Sequence, residues 1–249
     1  MGKVIAVVSG KGGTGKTTSS AAISSCLAAL GHKTLCIDFD AGLKNLDLSL
    51  CMADFTVMDY MDIMNGNLDV LDVNEACSES PLIPNLFFIA APTVLEATEQ
   101  DADQLEIMFD QIRKEFDYCI VDAPSGIGTG FRQATSNADM TIIVTTGEMP
   151  AMRDAQHVAS IIRDVGEKDM RLLVNRVKPK NLRQIKLTID DVIDTIGARL
   201  IGMIQEDRSV FLALHANTPL ILYKKRRASY DYLDVARRIT GDEIPLRKW

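Results

Sequence analysis

The chain has 249 residues, of which 47% are hydrophobic and 24% charged, and its formal net charge is −7. Such a length and apolar fraction exclude a disordered chain and allow one large α/β core. The acidic balance excludes a protein whose whole surface grips nucleic acid, although Lys224, Lys225, Arg226 and Arg227 form a local basic cluster.

Short apolar runs alternate with helix-length segments along the whole chain. The run 3–8, KVIAVV, reads as a strand buried on both faces, and 16–30 as the helix after it. Between them lies SGKGGTGKTT, residues 9–18. Gly10, Gly15, Lys16 and Thr17 match the GxxxxGK[ST] phosphate loop in the strand-to-helix setting that the motif requires. Gly10, Gly12, Gly13, Thr14 and Gly15 would wrap backbone N–H groups round phosphates, with Thr18 at the start of the helix. Lys16 would reach the β- and γ-phosphates, and Thr17 would hold Mg²⁺ through its hydroxyl. Lys11 is a second lysine in the same turn.

The next predicted strand, 33–38, ends in IDFDAGLKNLDL. Asp38 and Asp40 are two apart, so extended backbone projects both the same way, towards metal and water at a strand's carboxyl end. Residues 57–66, VMDYMDIMNG, predict a short helix, 85–91 a strand and 101–115 a helix. The strand 117–122 ends on Asp122 after an apolar run, which is the pattern of a Walker B aspartate that binds Mg²⁺ through water. Gly126, Gly128 and Gly130 follow in what reads as a switch loop before a helix over 129–138. A strand at 140–146 and a helix at 151–166 precede the strand 171–175, which ends at Asn175 and Arg176. The Asn amide offers both a donor and an acceptor to an adenine edge. A helix at 187–197, a strand at 199–204 and helices at 206–214 and 227–240 complete the reading. The fold class is a doubly wound, mostly parallel sheet of about seven or eight strands with helices on both faces, in one domain over residues 1–249.

Cys26, Cys36, Cys51, Cys77 and Cys119 contain no CxxC pair, and Cys36 and Cys119 lie in apolar runs. They read as reduced thiols of a cytoplasmic protein. The N-terminus has no signal-peptide succession, and no apolar run approaches the length of a membrane span.

The loop KGGTGKT with its extra lysine, together with DFDAGLKNLDL, DAPSGIGTG, RDA at 153–155 and EDRSV, resembles the MinD/ParA family of deviant Walker A P-loop ATPases over almost the entire chain. Within it the likeness is greatest to the MinD branch, which helps to position the bacterial division septum. Flagellar-number regulators share GLxNLD, and ParA partition ATPases are the further alternative, as a nucleotide-gated binding module.

The resemblance implies a Mg²⁺-dependent ATPase, with ATP and ADP as ligands, that forms a homodimer with ATP and meets a regulatory protein that stimulates hydrolysis. It implies that Lys11 crosses to the phosphates of the partner copy, that Asp40 positions the attacking water and that Asp38 lies near the metal. It puts Asn175 and Arg176 at the base, with Glu206 and Asp207 beside base and ribose, although Gln205 replaces the family's proline. Glu148, Arg153 and Asp154 fall where the family makes its dimer and partner surface.

Members of the branch end in a basic amphipathic helix. Here TGDEIPLRKW, with Gly241 and Pro245, gives no such helix, so weak peripheral contact through Arg247, Lys248, Trp249 and the 224–227 cluster is the expectation. Nucleic acid is not an expected partner.

Overall fold

The computed structural model describes residues 1–41, 45–55, 58–65, 73–92, 102–166, 169–184, 188–224 and 227–247. Strands β1 (Lys3–Val8), β2 (Thr34–Asp38), β3 (Ser78–Glu79), β4 (Leu86–Ile89), β5 (Tyr118–Asp122), β6 (Met140–Thr146), β7 (Met170–Val177) and β8 (Arg199–Gln205) form one sheet in the order β3-β4-β2-β5-β1-β6-β7-β8. Every pairing is parallel except β3 with β4, where Ser78 stands opposite Phe88. The seven apolar strands agree with the sequence reading. The two-residue β3 is an addition, because Ser-Glu carries no strand signal of its own.

The helices, in chain order, are α1 (Lys16–Ala29), α2 (Leu46–Leu50), α3 (Tyr60–Asn65), α4 (Val73–Ala76), α5 (Ala102–Glu115), α6 (Thr129–Ser136), α7 (Met149–Asp164), α8 (Pro179–Gln184), α9 (Ile189–Ile196), α10 (Arg208–His215), α11 (Leu220–Tyr223) and α12 (Arg227–Ile239). Alternate residues of β1 serve two cores. Val4, Ala6 and Val8 pack with α5, α6, α7 and α9, while Ile5 and Val7 pack with α1 and α12. This is the covering on both faces that near-continuous apolar strands demand. The short helix expected at 57–66 is α3; residues 57 and 66 lie outside the described residues.

Helix α1 is wedged between the sheet, α2 and α12, and is buried from Ser19 through Ala28. Its small residues, Ser19-Ser20-Ala21-Ala22 and Ser24-Ser25, allow that close approach. The hydroxyls of Ser19 and Ser24 bond back to carbonyls one turn earlier, at Gly15 and Ser20, so their burial leaves no donor stranded.

The chain leaves β1 for β2 on one side, whereas β5 feeds β6 on the other side of β1. The carboxyl ends of β1 and β6 therefore flank a topological switch point, the crevice where open α/β sheets bind ligands.

Candidate nucleotide site

The loop after β1 stands at that crevice. Gly13 (φ 84°) and Gly15 (φ 94°) take left-handed conformations that side chains disfavour, and Gly15 is the N-cap of α1. Gly10 has a different constraint: an added Cβ would lie 2.6 Å from the carbonyl oxygen of Asp154 in α7. The loop is braced internally by Ser9 Oγ, which donates to the Lys11 carbonyl at 3.1 Å. Helix α1 begins with no side-chain cap and no acidic residue in its first turn. Its free N–H groups and positive dipole end thus face the loop, as an anion requires.

The two lysines of the loop diverge. Lys11 is exposed, whereas Lys16 is 6% exposed and its Nζ lies 2.8 Å from Asp122 Oδ1. Thr17 Oγ1 donates to Asp122 Oδ2 at 2.7 Å, and Ser20 Oγ donates to Oδ1 at 2.7 Å. An ionised carboxylate only accepts, so the Thr17 proton points at Asp122 and its oxygen lone pairs face elsewhere.

Asp38 is the register partner of Asp122 across β2 and β5, and both are buried. The Asp38 carboxyl is pushed up to about 7, chiefly by burial and next by the neighbouring Asp122 charge, against the opposing pull of the Asp40 N–H and Lys16. The Asp40 N–H donates to Asp38 Oδ1 at 2.8 Å. Asp40 itself is half-buried, and its carboxyl is raised, mainly by burial.

The Asp38 and Asp122 carboxyls thus lie close together, with the Lys16 ammonium on Asp122, beside the Thr17 hydroxyl, which keeps a lone pair besides the one that the ammonium approaches at 3.5 Å. The two carboxyls and the hydroxyl are hard oxygen donors of the kind that Mg²⁺ shares with a phosphate, so the residues present fit that ion. Among the described residues no cluster of three or more His, Cys, Asp or Glu forms a separate metal cage.

A cavity of about 660 Å³ opens from Lys11, Gly12, Gly13 and Thr14 towards the head of α7 (Gly147, Glu148, Met149) and the ends of β7 and β8 (Arg176, Lys178, Glu206). Asn175 forms part of the structure beneath it. Its Nδ2 donates to the Thr14 carbonyl at 2.8 Å, and its Oδ1 accepts from the Arg176 N–H at 2.9 Å. Arg176 has φ 52°, where the β7–β8 register shifts, and its exposed side chain is placed at the cavity. β7 therefore continues through this bend to Val177, two residues past the expected end at 175.

Glu206 pairs with Lys178 at 2.6 Å on the cavity wall. Asp207 has a different setting. It caps α10, accepting from the Ser209 N–H at 2.8 Å, and its other oxygen accepts from the Ala228 N–H at 3.3 Å. The expected helix at 206–214 accordingly starts at Arg208, because Asp207 serves as its cap. Thr18 lines a small groove between α1 and α10. Arg153 is exposed on α7, and Asp154 packs its backbone against Gly10. Residues 42–44 of the second-strand motif lie outside the described residues, as do Lys225, Arg226, Lys248 and Trp249.

Two features were missed in the sequence. Ser20 on Asp122 was available from helical spacing, since i+3 from Thr17 is the same face. Lys178 opposite Glu206 depends on the β7–β8 register and had no local signal.

Fold and site together define a P-loop nucleotide hydrolase with a second lysine in its loop. A family model described as "AAA domain" (AAA_31) matches residues 2–174. The septum site-determining protein MinD of Synechocystis is 35% identical, over 99% of this chain and 92% of its own length. A chain of the MinC:MinD cell division protein complex from Aquifex aeolicus superposes with a TM-score of 0.90 at 32% identity, over 99% of both chains. The septum site-determining protein MinD of Pyrococcus horikoshii, complexed with Mg-ADP, shares the fold with a TM-score of 0.83 at 22% identity, over 97% of both. The chain belongs to the MinD family of P-loop ATPases. It is a MinD-like ATP hydrolase of cell-division site placement.

Proposed function

We propose that this ATPase is a switch that pairs with a second copy when ATP is bound and separates after hydrolysis. The observation that carries this reading is the divergence of the two loop lysines. Lys16 is buried at the head of α1, whereas Lys11 is exposed at the cavity rim, where its ammonium is free to meet phosphates outside its own loop.

Lys16 holds the β- and γ-phosphate charge within the chain, and the N–H groups of Gly10 through Thr18 cradle it. Thr17, Asp122 and Asp38 hold Mg²⁺, which when bound neutralises charge on the phosphates. Asp40, tethered to Asp38 through its N–H and half-open to solvent, orients the attacking water. Asn175 keeps the loop in register with β7, Arg176 and Glu206 border base and ribose, and Asp207 contributes by fixing the start of α10.

The head of α7, with Glu148 at the cavity and Arg153 exposed, forms the surface for the second copy and for a regulatory protein. The Aquifex complex of MinC with MinD supports a protein partner of that kind. No helix among the described residues is long and apolar enough to cross a membrane.

The test is size in solution. With a non-hydrolysable ATP analogue and Mg²⁺ the parent protein runs as a dimer, with ADP as a monomer, and Lys11→Ala stays monomeric with both. A Lys11→Ala protein that dimerises like the parent ends the reading.

A further inference from the structure

Asp122 accepts three side-chain hydrogen bonds, and two of the donors have other duties. A phosphate competes for the Lys16 ammonium, and a cation draws on the Thr17 oxygen lone pairs while the hydroxyl proton stays on Asp122. The third donor, Ser20, is fully buried three residues beyond Thr17 on the same helix face, where a ligand in the loop cannot reach it.

Its hydroxyl has one proton and two nearby acceptors, the Lys16 carbonyl at 3.1 Å and Asp122 Oδ1 at 2.7 Å. The carboxylate is nearer and charged, so the proton belongs to it. Ser24, one turn further, provides the contrast: its hydroxyl donates to the helix carbonyls of Ser20 and Ala21.

We infer that Ser20 is a positioning residue, a standing hydrogen-bond donor that holds the Asp122 carboxylate towards the head of α1 while Lys16 exchanges it for nucleotide and Thr17 turns its lone pairs to the metal. The inference rests on the nucleotide reading proposed above. Without Ser20, a carboxylate released by Lys16 keeps only the Thr17 hydroxyl as a donor from α1, on its other oxygen, and it turns more freely away from the place where Thr17 needs it. Ser20 thus acts through Asp122 on the coupling between metal and nucleotide, and the phosphate cradle of backbone N–H groups is untouched.

The experiment uses the full chain and a fluorescent ADP analogue, titrated once in EDTA and once in excess Mg²⁺, with thermal unfolding followed under both conditions. Parent protein and Ser24→Ala bind more tightly, and unfold at higher temperature, with Mg²⁺ than in EDTA. Ser20→Ala binds like the parent in EDTA but loses about tenfold of the gain from Mg²⁺, the size expected for one charge-assisted hydrogen bond. Ser20→Thr, which keeps the hydroxyl, recovers the gain.

If Ser20→Ala retains the whole gain, or loses affinity equally in EDTA and Mg²⁺, the inference is wrong and the proposed function stands. If the parent binds no nucleotide, or gains nothing from Mg²⁺, the proposed function itself fails. Should Ser20→Ala not fold, Ser20→Cys, of similar volume with only a weak donor, is measured against the same outcomes.

Discussion

The fate of a side chain in this site follows from how deeply it is buried and how many partners it has. Lys16 is nearly closed off from solvent and is one of three donors on Asp122. Lys16→Ala therefore has two costs. It removes the ammonium that would meet phosphate, so nucleotide binding should vanish in calorimetric titration. It also leaves a buried carboxylate short of its counter-charge, which destabilises by about 3 kcal/mol and lowers the urea midpoint. Asp40 is half open and makes no ion pair among the described residues, with Lys16 acting on its charge only from a distance, so Asp40→Ala should leave the urea midpoint within about 0.5 kcal/mol of the parent. Its effect falls on chemistry instead. Phosphate release should drop about a hundredfold while ATP is still bound, because a positioned water is lost. Parental turnover in Asp40→Ala would remove Asp40 from the mechanism.

Between elements, tight spacing sets what can be substituted. A methyl at Gly10 would run into the Asp154 carbonyl, so Gly10→Ala must push α7 away from the phosphate loop. Overpacking of that kind costs about 1–3 kcal/mol, and the displaced α7 head should weaken ADP binding in parallel. A Gly10→Ala protein with parental urea midpoint and affinity would show that the contact is soft.

The apolar strands were legible because burial on both faces writes a continuous hydrophobic run, and the loop because its glycines and lysine occupy fixed offsets from a strand and a helix. The bend at Arg176 was not legible. It depends on how β7 meets β8, and an arginine carries no mark of a left-handed backbone. The role of Asp207 as a cap was hidden for a related reason, since EDRSV suits a ligand contact and a helix start equally well. The pairing of Asp38 with Asp122 lies between: each strand end was visible, but their side-by-side register is a property of the sheet.

Across the molecule, α12 is joined to β8 by a buried acid. Asp231 accepts from the Gln205 N–H at 2.9 Å, with Arg247 at 3.8 Å and Asp234 and Asp207 adding negative charge nearby. Burial, the largest cause, raises its carboxyl to about 6 from 3.8, against the Gln205 bond and Arg247. The folded chain then holds this proton at pH values where the unfolded chain has released it. Stability from this group is greatest below about pH 4 and is lost as pH rises through about 6. Asp231→Asn keeps an acceptor for Gln205 and cannot ionise. Relative to the parent it should therefore gain stability between pH 5 and pH 7.5, read as a difference in urea midpoints. An unchanged difference across that range would mean that the Arg247 pair outweighs burial.

Pairing gated by hydrolysis would join the two ends of the site: the exposed Lys11 at the rim and the half-open Asp40 just past the carboxyl end of β2. If one ammonium draws the copies together only while a triphosphate is present, association must be as short-lived as the nucleotide. Light scattering after a limited pulse of ATP and Mg²⁺ should rise and then decay in the parent, with the decay matching phosphate release. In Asp40→Ala the rise should persist, because triphosphate remains; in Lys11→Ala it should not appear, although nucleotide binds. In the double variant Lys11→Ala with Asp40→Ala there should again be no rise, since persistence of ATP cannot replace the charge that bridges the copies. A rise in the double variant equal to that of Asp40→Ala would show that the copies are held by other contacts, and that Lys11 serves only its own loop.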